Sequence, residues 1–299
     1  MIDKNKGKLY IVGTPIGNLD DITIRAVNTL RNVDVILAED TRQTLKLLNH
    51  FEISKHMISY HRHNEDDKIE KIVEILNSGK NLALVSDAGM PIISDPGQNL
   101  VKYLVKNNYD IEVVPGVTAL ITAIVKSGLD STRFTFEGFL SVNKKQRKER
   151  LKSLVNETRT MIFYEAPHKI LSTLKDMYEY FGNRDICIAR ELTKIHEEYR
   201  YTNFKDAIIN IEENGIKGEI VLVISGASED KINEEKNKEI EQINSLELVK
   251  EYMKNGDTKK DAIKKVAKLK GVNKDVVYKE CLDIWRGKRY EWKRNNKTW

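Results

Sequence analysis

Proton-accepting side chains gather at the ends of three apolar runs. "AEDTR" (38–42) closes one run with Glu39 and Asp40, "SYHRHN" (59–64) closes another with His61 and His63, and "YEAPHK" (164–169) carries Glu165. A well-placed carboxylate or imidazole can serve as a general acid or base, worth ~10²–10⁴-fold in a proton transfer. Asp40, His63 and Glu165 are therefore candidate catalytic residues. Each also has a plain structural role open to it. Asp40 precedes Thr41 and suits a helix N-cap, with Arg42 solvated or paired, and His63 with Asn64 suits a helix start near Glu65. The residues alone select no base. A different signal is "SDAGMPIISDPG" (86–97), in which two glycines, two prolines and two aspartates come after an apolar run. Gly89 allows backbone to approach a ligand closely, and the prolines stiffen the loop before any ligand arrives.

These groups need a scaffold. The runs "KLYIVG", "DVILAED", "HMISYH", "NLALVSD" and "DIEVVPG" predict strands, and a stretch of helical period lies between each run and the next. In "EDDKIEKIVEILNSG", Ile69, Ile72, Val73 and Leu76 form one apolar face and Gly79 ends it. Such alternation predicts a mostly parallel sheet with helices on both faces. The loops 12–19, 86–97, 115–120 and 164–169 each come after a strand, the first three at the ligand-binding edge of that sheet. In the first loop Gly13 and Gly17 are four apart with Pro15 between them, so neither a dinucleotide fingerprint nor a P-loop is present. Pro15 also removes a backbone donor. The loop suits a neutral or cationic ligand rather than a pyrophosphate.

Beyond residue 130 the pattern becomes less regular, with strands in "STRFTFEGFLS", "TRTMIFYEAPH", "RDICIARELT", "EEYRYTNF" and "GEIVLVISG" and helices at 168–181 and 204–213. The fold class expected is α/β, with two α/β domains (8–130 and 131–228), a linker (229–244), a helix-turn-helix-like module (245–285) and a basic aromatic tail (286–299). Thr258 with Asp261, and Asn273, are the expected caps within the module.

The chain has 299 residues and a formal net charge of +5, too modest by itself to imply a nucleic-acid partner. Local charge is more informative. "KKQRKERLK" (144–152) sets Lys144, Lys145, Arg147, Lys148 and Arg150 beside one acid, a candidate RNA-binding surface. The tail interleaves Arg286, Arg289 and Lys293 with Trp285, Tyr290 and Trp292, which suits single-stranded RNA. Cys187 and Cys281 are far apart in apolar stretches, so buried thiols are expected and no metal motif is seen. No apolar run reaches the length of a membrane span, and a cytoplasmic protein is expected.

Taken in order, "YIVGTPIGNLDDITIRA", "AEDTR", "SYHRHN", "SDAGMPIISDPG", "VPGVTA", "FYEAPHK" and "ARELTK" resemble the tetrapyrrole-methylase superfamily, and more closely its ribosomal RNA branch. The likeness runs from about residue 8 to 226, and a C-terminal helical module is likewise a feature of that ribosomal branch. It implies S-adenosylmethionine held between two α/β domains, a homodimer, and 2′-O-methylation of a cytidine in the decoding region of 16S ribosomal RNA within the small subunit. It further implies cofactor contacts from Pro15, Asp87, Ala88, Gly89, Ile92, Thr118, Ala119, Tyr164, Ala189 and Glu219. The small-molecule branch reads "GGDP" where this chain has "SDAGMP", a departure that favours the ribosomal branch. The competing readings are a methylase of a tetrapyrrole or other small molecule, and a non-catalytic nucleic-acid-binding protein.

Overall fold

In the computed structural model, residues 6–230, 232 and 243–281 are described. The tail 286–299 and most of the linker 229–244 lie outside the described residues. The chain divides after Gly226 into two compact units.

The first unit holds two five-stranded sheets. The first sheet contains β1 (Leu9–Val12), β2 (Val35–Ala38), β3 (His56–Ser59), β4 (Leu82–Val85) and β5 (Ile111–Val114), ordered β3-β2-β4-β1-β5. All its pairings are parallel. Four helices connect them: α1 (Ile24–Asn32), α2 (Thr41–His50), α3 (Glu65–Asn77) and α4 (Gln98–Lys106). Strand alternation sorts the core. Leu82 and Leu84 join Leu9, Leu37, Ile72, Leu76, Leu100 and Leu104 on the α3 and α4 face. Ala83 and Val85 join Ala26, Leu30, Ile36 and Leu48 on the α1 and α2 face. A central strand buried on both faces reads as a continuous apolar run, as "LALV" does.

The second sheet contains β6 (Phe134–Phe139), β7 (Thr160–Glu165), β8 (Asp185–Arg190), β9 (Glu198–Asn203) and β10 (Ile220–Ile224), ordered β6-β7-β10-β8-β9. Only β6 and β7 run parallel; the other pairings are antiparallel, so this sheet is mixed. Helices α6 (Lys144–Ser153), α7 (Ile170–Phe181) and α8 (Phe204–Asn214) cover one face.

The other face is covered by α5 (Ala119–Lys126), a helix of which the sequence pattern marks only the start, as loop. Ala123 and Ile124 of α5, with Ile16 from the first loop, bury against Ile162, Cys187, Ala189, Val221 and Val223. The two sheets therefore share one apolar layer and form a single compact unit, although the sequence separates 8–130 from 131–228. Each residue of α5 is local to the first sheet in sequence, but its burial partners come from the second.

In the second unit, helices Ser245–Lys254 and Lys259–Leu269 and a helical segment at 274–281 pack around Leu246, Val249, Ile263, Val266, Val277 and Cys281. Thr258 Oγ1 accepts from the Asp261 N–H at 3.3 Å, and Asn273 Oδ1 accepts from the Asp275 N–H at 3.0 Å, as their types imply. Both cysteines are buried thiols. Among the described residues no helix is long and apolar enough to cross a membrane.

Candidate active site

The loops after β1, β4 and β5 meet at the C-terminal edge of the parallel sheet. Thr14 and Gly89 exchange backbone hydrogen bonds, N–H to O distances being 2.9 and 3.1 Å. Thr14 Oγ1 also donates to the Ser86 carbonyl at 3.2 Å. The first and third loops touch backbone to backbone: a Cβ placed on Gly13 would lie 2.7 Å from Gly116 Cα. Glycine is required there because no side chain fits between the two chains. Gly89 has φ +79°, which other residues adopt only with strain.

Between these loops and the second sheet lies a cleft of about 440 Å³, within the ~300–1,000 Å³ usual for small-molecule sites. Ile16, Glu39, Asp87, Ala88, Gly89, Met90, Ile93, Ser94, Asp95, Thr118 and Ala119 line one side. Phe139, Tyr164, Glu165, Ala166, Pro167, Glu219, Ile220 and Val221 line the other. A second groove, of about 460 Å³, runs along α1 past Tyr10, Asn28, Asn32 and Asn81. Its one charged group, Arg25, is held by Glu112 at 3.0 Å, so it offers amides and no reactive centre.

Of the expected cofactor contacts, Asp87, Ala88, Gly89, Thr118, Ala119, Tyr164 and Glu219 line the cleft and three do not. Pro15 sits between the paired Thr14 and the lining Ile16, and its own ring is not part of the wall. Ile92 turns back into the α3 and α4 core, against Gly97. Ala189 is fully buried beside its cross-strand partner Val221, on the same face of the sheet, and is not part of the wall, whereas Val221 is.

The candidate bases separate cleanly. Asp40 caps α2: its Oδ1 accepts from the Arg42 N–H at 2.8 Å and its Oδ2 from the Arg42 guanidinium at 2.7 Å. That pairing holds its carboxyl low, at about 2. His63 is exposed in the turn before α3 and is not in the cleft wall. Glu165 lies in the wall, but both its oxygens are occupied, accepting from the Ala166 N–H at 2.8 Å and Thr173 Oγ1 at 2.6 Å. It anchors the start of α7.

Of the other carboxylates in the wall, Glu219 is paired with Lys194 at 3.0 Å, whereas Glu39, Asp87 and Asp95 carry no ion pair among the described residues. Burial and the nearby Asp87 push Glu39 upward, though an N–H bond from Asp87 opposes this. Burial also raises Asp87, whose Oδ1 accepts from the Asp40 N–H at 3.0 Å. Burial pushes Asp95 furthest, to about 7, with Glu39 adding to the effect. A buried negative cluster favours a bound cation, because the cation offsets the cost of ionising those groups.

Across the cleft, the Tyr164 hydroxyl accepts from the Leu120 N–H at 3.2 Å, satisfying an orphan donor in the first turn of α5. Burial raises its phenol to about 12. Phe139 and Phe136 meet Tyr164 edge-on, at 5.6 and 4.9 Å between centroids. Phe139 is 58% exposed at the cleft mouth. It is absent from the residues singled out by sequence, although Gly138 inside a strand pattern signals a bulge. The bulge is present, between Phe136 and Gly138, and it re-aims the next side chain.

The basic stretch is a helix whose charges are largely compensated. Arg147 Nε pairs with Asp176 at 2.7 Å, both side chains only 14% exposed. Lys148 pairs with Glu179 at 3.0 Å and Arg150 with Glu137. These three are thus tied within the protein rather than free for phosphate. Lys144, Lys145 and Lys152 are exposed and carry no ion pair among the described residues.

S-adenosylmethionine fits this cleft. The carboxylates of Glu39, Asp87 and Asp95 suit a sulfonium, the backbone at 87–89 and 118–119 supplies polar contacts, and Ile16, Met90 and Val221 supply apolar ones.

Residues 8–208 match the model of the tetrapyrrole (corrin/porphyrin) methylases. The chain is 45% identical over 272 residues to the ribosomal RNA small subunit methyltransferase I of Bacillus subtilis, covering 91% of this chain and 93% of the relative. It is 50% identical over 220 residues to the protein of that name from Thermotoga maritima, covering 74% of this chain and 99% of the relative. The latter is thus about as long as the first unit alone. Among solved structures, uroporphyrin-III-C-methyltransferase from Thermus thermophilus aligns with a TM-score of 0.54 at 19% identity, covering 74% of this chain and 94% of the other. A diphthine synthase aligns at 0.56 and 12% identity, covering 73% and 90%. At these identities the structures speak for the fold alone.

Proposed function

Since this chain belongs to the tetrapyrrole methylase family, among its ribosomal RNA small subunit methyltransferase I members, and is a methyltransferase with S-adenosylmethionine as donor, we propose that its acceptor is the 2′-hydroxyl of a cytidine in the decoding region of 16S ribosomal RNA. The observation that carries the RNA acceptor is identity of 45% across nine-tenths of the chain to relatives bearing that name. The site is compatible with it. Phe139 offers an exposed ring at the cleft mouth on which an unstacked base can rest. Lys144, Lys145 and Lys152 come soon after it in sequence and supply phosphate contacts.

The donor supplies a methyl group already activated on a sulfonium. The chain's own contribution is placement. Asp87, Ala88, Gly89, Thr118 and Ala119 hold the donor, Tyr164 fixes the α5 end of the site, and Glu39 and Asp87 offset positive charge. Holding two reactants in line is worth up to ~7–11 kcal/mol. A second copy of the chain is part of this reading. Ile121 and Val125 on α5 and Ile195 beyond β8 are exposed apolar side chains, 46, 77 and 98% respectively, and suit a homodimer interface. A ribosomal substrate also implies a cytoplasmic site of action.

The test uses methyl-labelled S-adenosylmethionine with unmodified small ribosomal subunits, naked RNA and a tetrapyrrole precursor in parallel. Label recovered as 2′-O-methylcytidine from the subunits is the expected result. Label in the tetrapyrrole and none in RNA would assign the chain to the small-molecule branch.

A further inference from the structure

A ribose hydroxyl gives up its proton reluctantly, and three sequence candidates for the acceptor have been removed by geometry. Asp40 is bound to Arg42, both oxygens of Glu165 are committed, and His63 is outside the cleft wall. Asp95 differs from all three. It lies in the wall, in a loop segment held in unusual backbone geometry: Ile92 has φ +79°, Ser94 +74° and Gly97 +127°. For a β-branched residue such as Ile92 this is a real outlier, and strain of ~1–3 kcal/mol per residue persists only where the surroundings impose it. The surroundings are visible. Arg62 donates to the Ser94 carbonyl, Glu65 accepts from the Gly97 N–H at 3.0 Å, and the β6 bulge at Gly138 abuts Ser94. The strained segment sets Asp95 in the same wall as Ser94 and Glu39, across from Tyr164.

We propose that Asp95 is the proton acceptor of the methyl transfer, an inference that rests on the 2′-hydroxyl reading above. Its carboxylate takes the hydroxyl proton as the oxygen bonds to the methyl carbon and the carbon–sulfur bond breaks, the bonding pair remaining on sulfur. The proton then passes from Asp95 to solvent. The groups facing Asp95 are Glu39 at the end of β2, Ser86 and Asp87 after β4, Arg62 before α3 and Tyr164 on β7. Burial, Glu39 and Asp87 raise its carboxyl, while Ser86 and Arg62 pull it down, leaving it near 7. A base titrating there is ionised at cellular pH yet still basic enough to be useful. The donor's positive charge favours the ionised form.

Asp95→Asn and Asp95→Glu test this against wild type in single-turnover transfer to small subunits between pH 6 and 9. Cofactor binding is measured by calorimetry in buffers of different ionisation enthalpy. Asp95→Asn is expected to slow transfer at pH 8 by about 10²–10⁴-fold, and to lose the acid limb that wild type shows near pH 7. It should bind cofactor within about tenfold of wild type, and it should release fewer protons on binding at pH 7. Asp95→Glu should recover part of the rate. Asparagine mimics the protonated acid that burial favours, so folding is retained, and wild type lacking any acid limb would by itself overturn the proposal. Transfer at the wild-type rate by Asp95→Asn, or loss of cofactor affinity matching the loss of rate, would also overturn it. Wild type that labels no RNA ribose would remove the RNA reading and this inference together. Active wild type with an equally active Asp95→Asn would remove Asp95 alone.

Discussion

The cleft wall at 87–95 and helix α6 are both clusters of like charge in sequence, and the fold treats them in opposite ways. Glu39, Asp87 and Asp95 are drawn into a partly buried space with no ion pair among the described residues, so burial raises each of them. On α6, Arg147, Lys148 and Arg150 each meet an acid, from α7 or from β6. Compensated charge stabilises the fold and projects little field. Uncompensated charge destabilises the site locally and is available to a ligand. A count of charges along the chain does not distinguish the two, whereas their partners do.

The strongest way to break this contrast is to disturb the wall's backbone. Gly89→Val puts a Cβ 3.3 Å from Ile16 Cγ2 at a φ that valine resists. Calorimetry should show cofactor affinity falling by more than about 100-fold, on the scale of 2–3 kcal/mol of strain and lost contact, while the circular dichroism spectrum stays native. Unchanged affinity would remove this loop from the site.

Cofactor affinity should also depend on pH. Asp95 is raised from 3.8 to about 7 and Glu39 is raised above 4.5, so the protein without cofactor holds protons that a cation displaces. Affinity should climb by up to about tenfold per unit as pH rises toward 7 and level off above it. The same shift has the opposite sign for stability. The contribution of these groups is fully present below about pH 4 and is lost as pH rises through about 7, so the wall should stabilise the fold less at pH 8 than at pH 5. A flat binding profile would mean that the wall is compensated after all.

On α6 the expected effects are smaller and sort by residue. Arg147→Ala strands the 14% exposed Asp176 and should cost about 1–3 kcal/mol, read as a lower melting temperature. Lys144→Glu with Lys145→Glu should leave melting unchanged and lower the salt slope of RNA binding by about 1 per lost phosphate contact. If Arg147 moves the slope and the lysines do not, the assignment of free and tied charges is reversed. Smallest of all, Tyr164→Phe removes the acceptor for the Leu120 N–H, a bond worth about 1 kcal/mol, and should weaken cofactor binding by about three- to fivefold.

Much of the scaffold was legible in the chain because its signals are local. The strands β1 to β5 arise from short runs of branched residues closed by turns. The helix starts at Asp40, Thr258 and Asn273 arise from side-chain oxygens that accept from their own next turn. Helix α5 was less legible, since its apolar faces suit a buried loop as well as a helix until the second sheet is placed against it.

The amino-acid order by itself determined which loops end the strands, which glycines allow backbones to meet, and which family the motifs belong to. These depend on residue type and near-neighbour spacing. Only the tertiary structure decided which charges are neutralised, because the acids that hold Arg147 and Lys148 lie 29 and 31 residues further along the chain. It also decided that Ile92 packs into the α3 and α4 core rather than the cleft wall, that a bulge precedes Phe139 in that wall, and that Asp95 rather than Asp40 lines the cleft. Burial and pairing are set by residues distant in sequence, and the reactivity of a carboxylate is set by its burial and pairing.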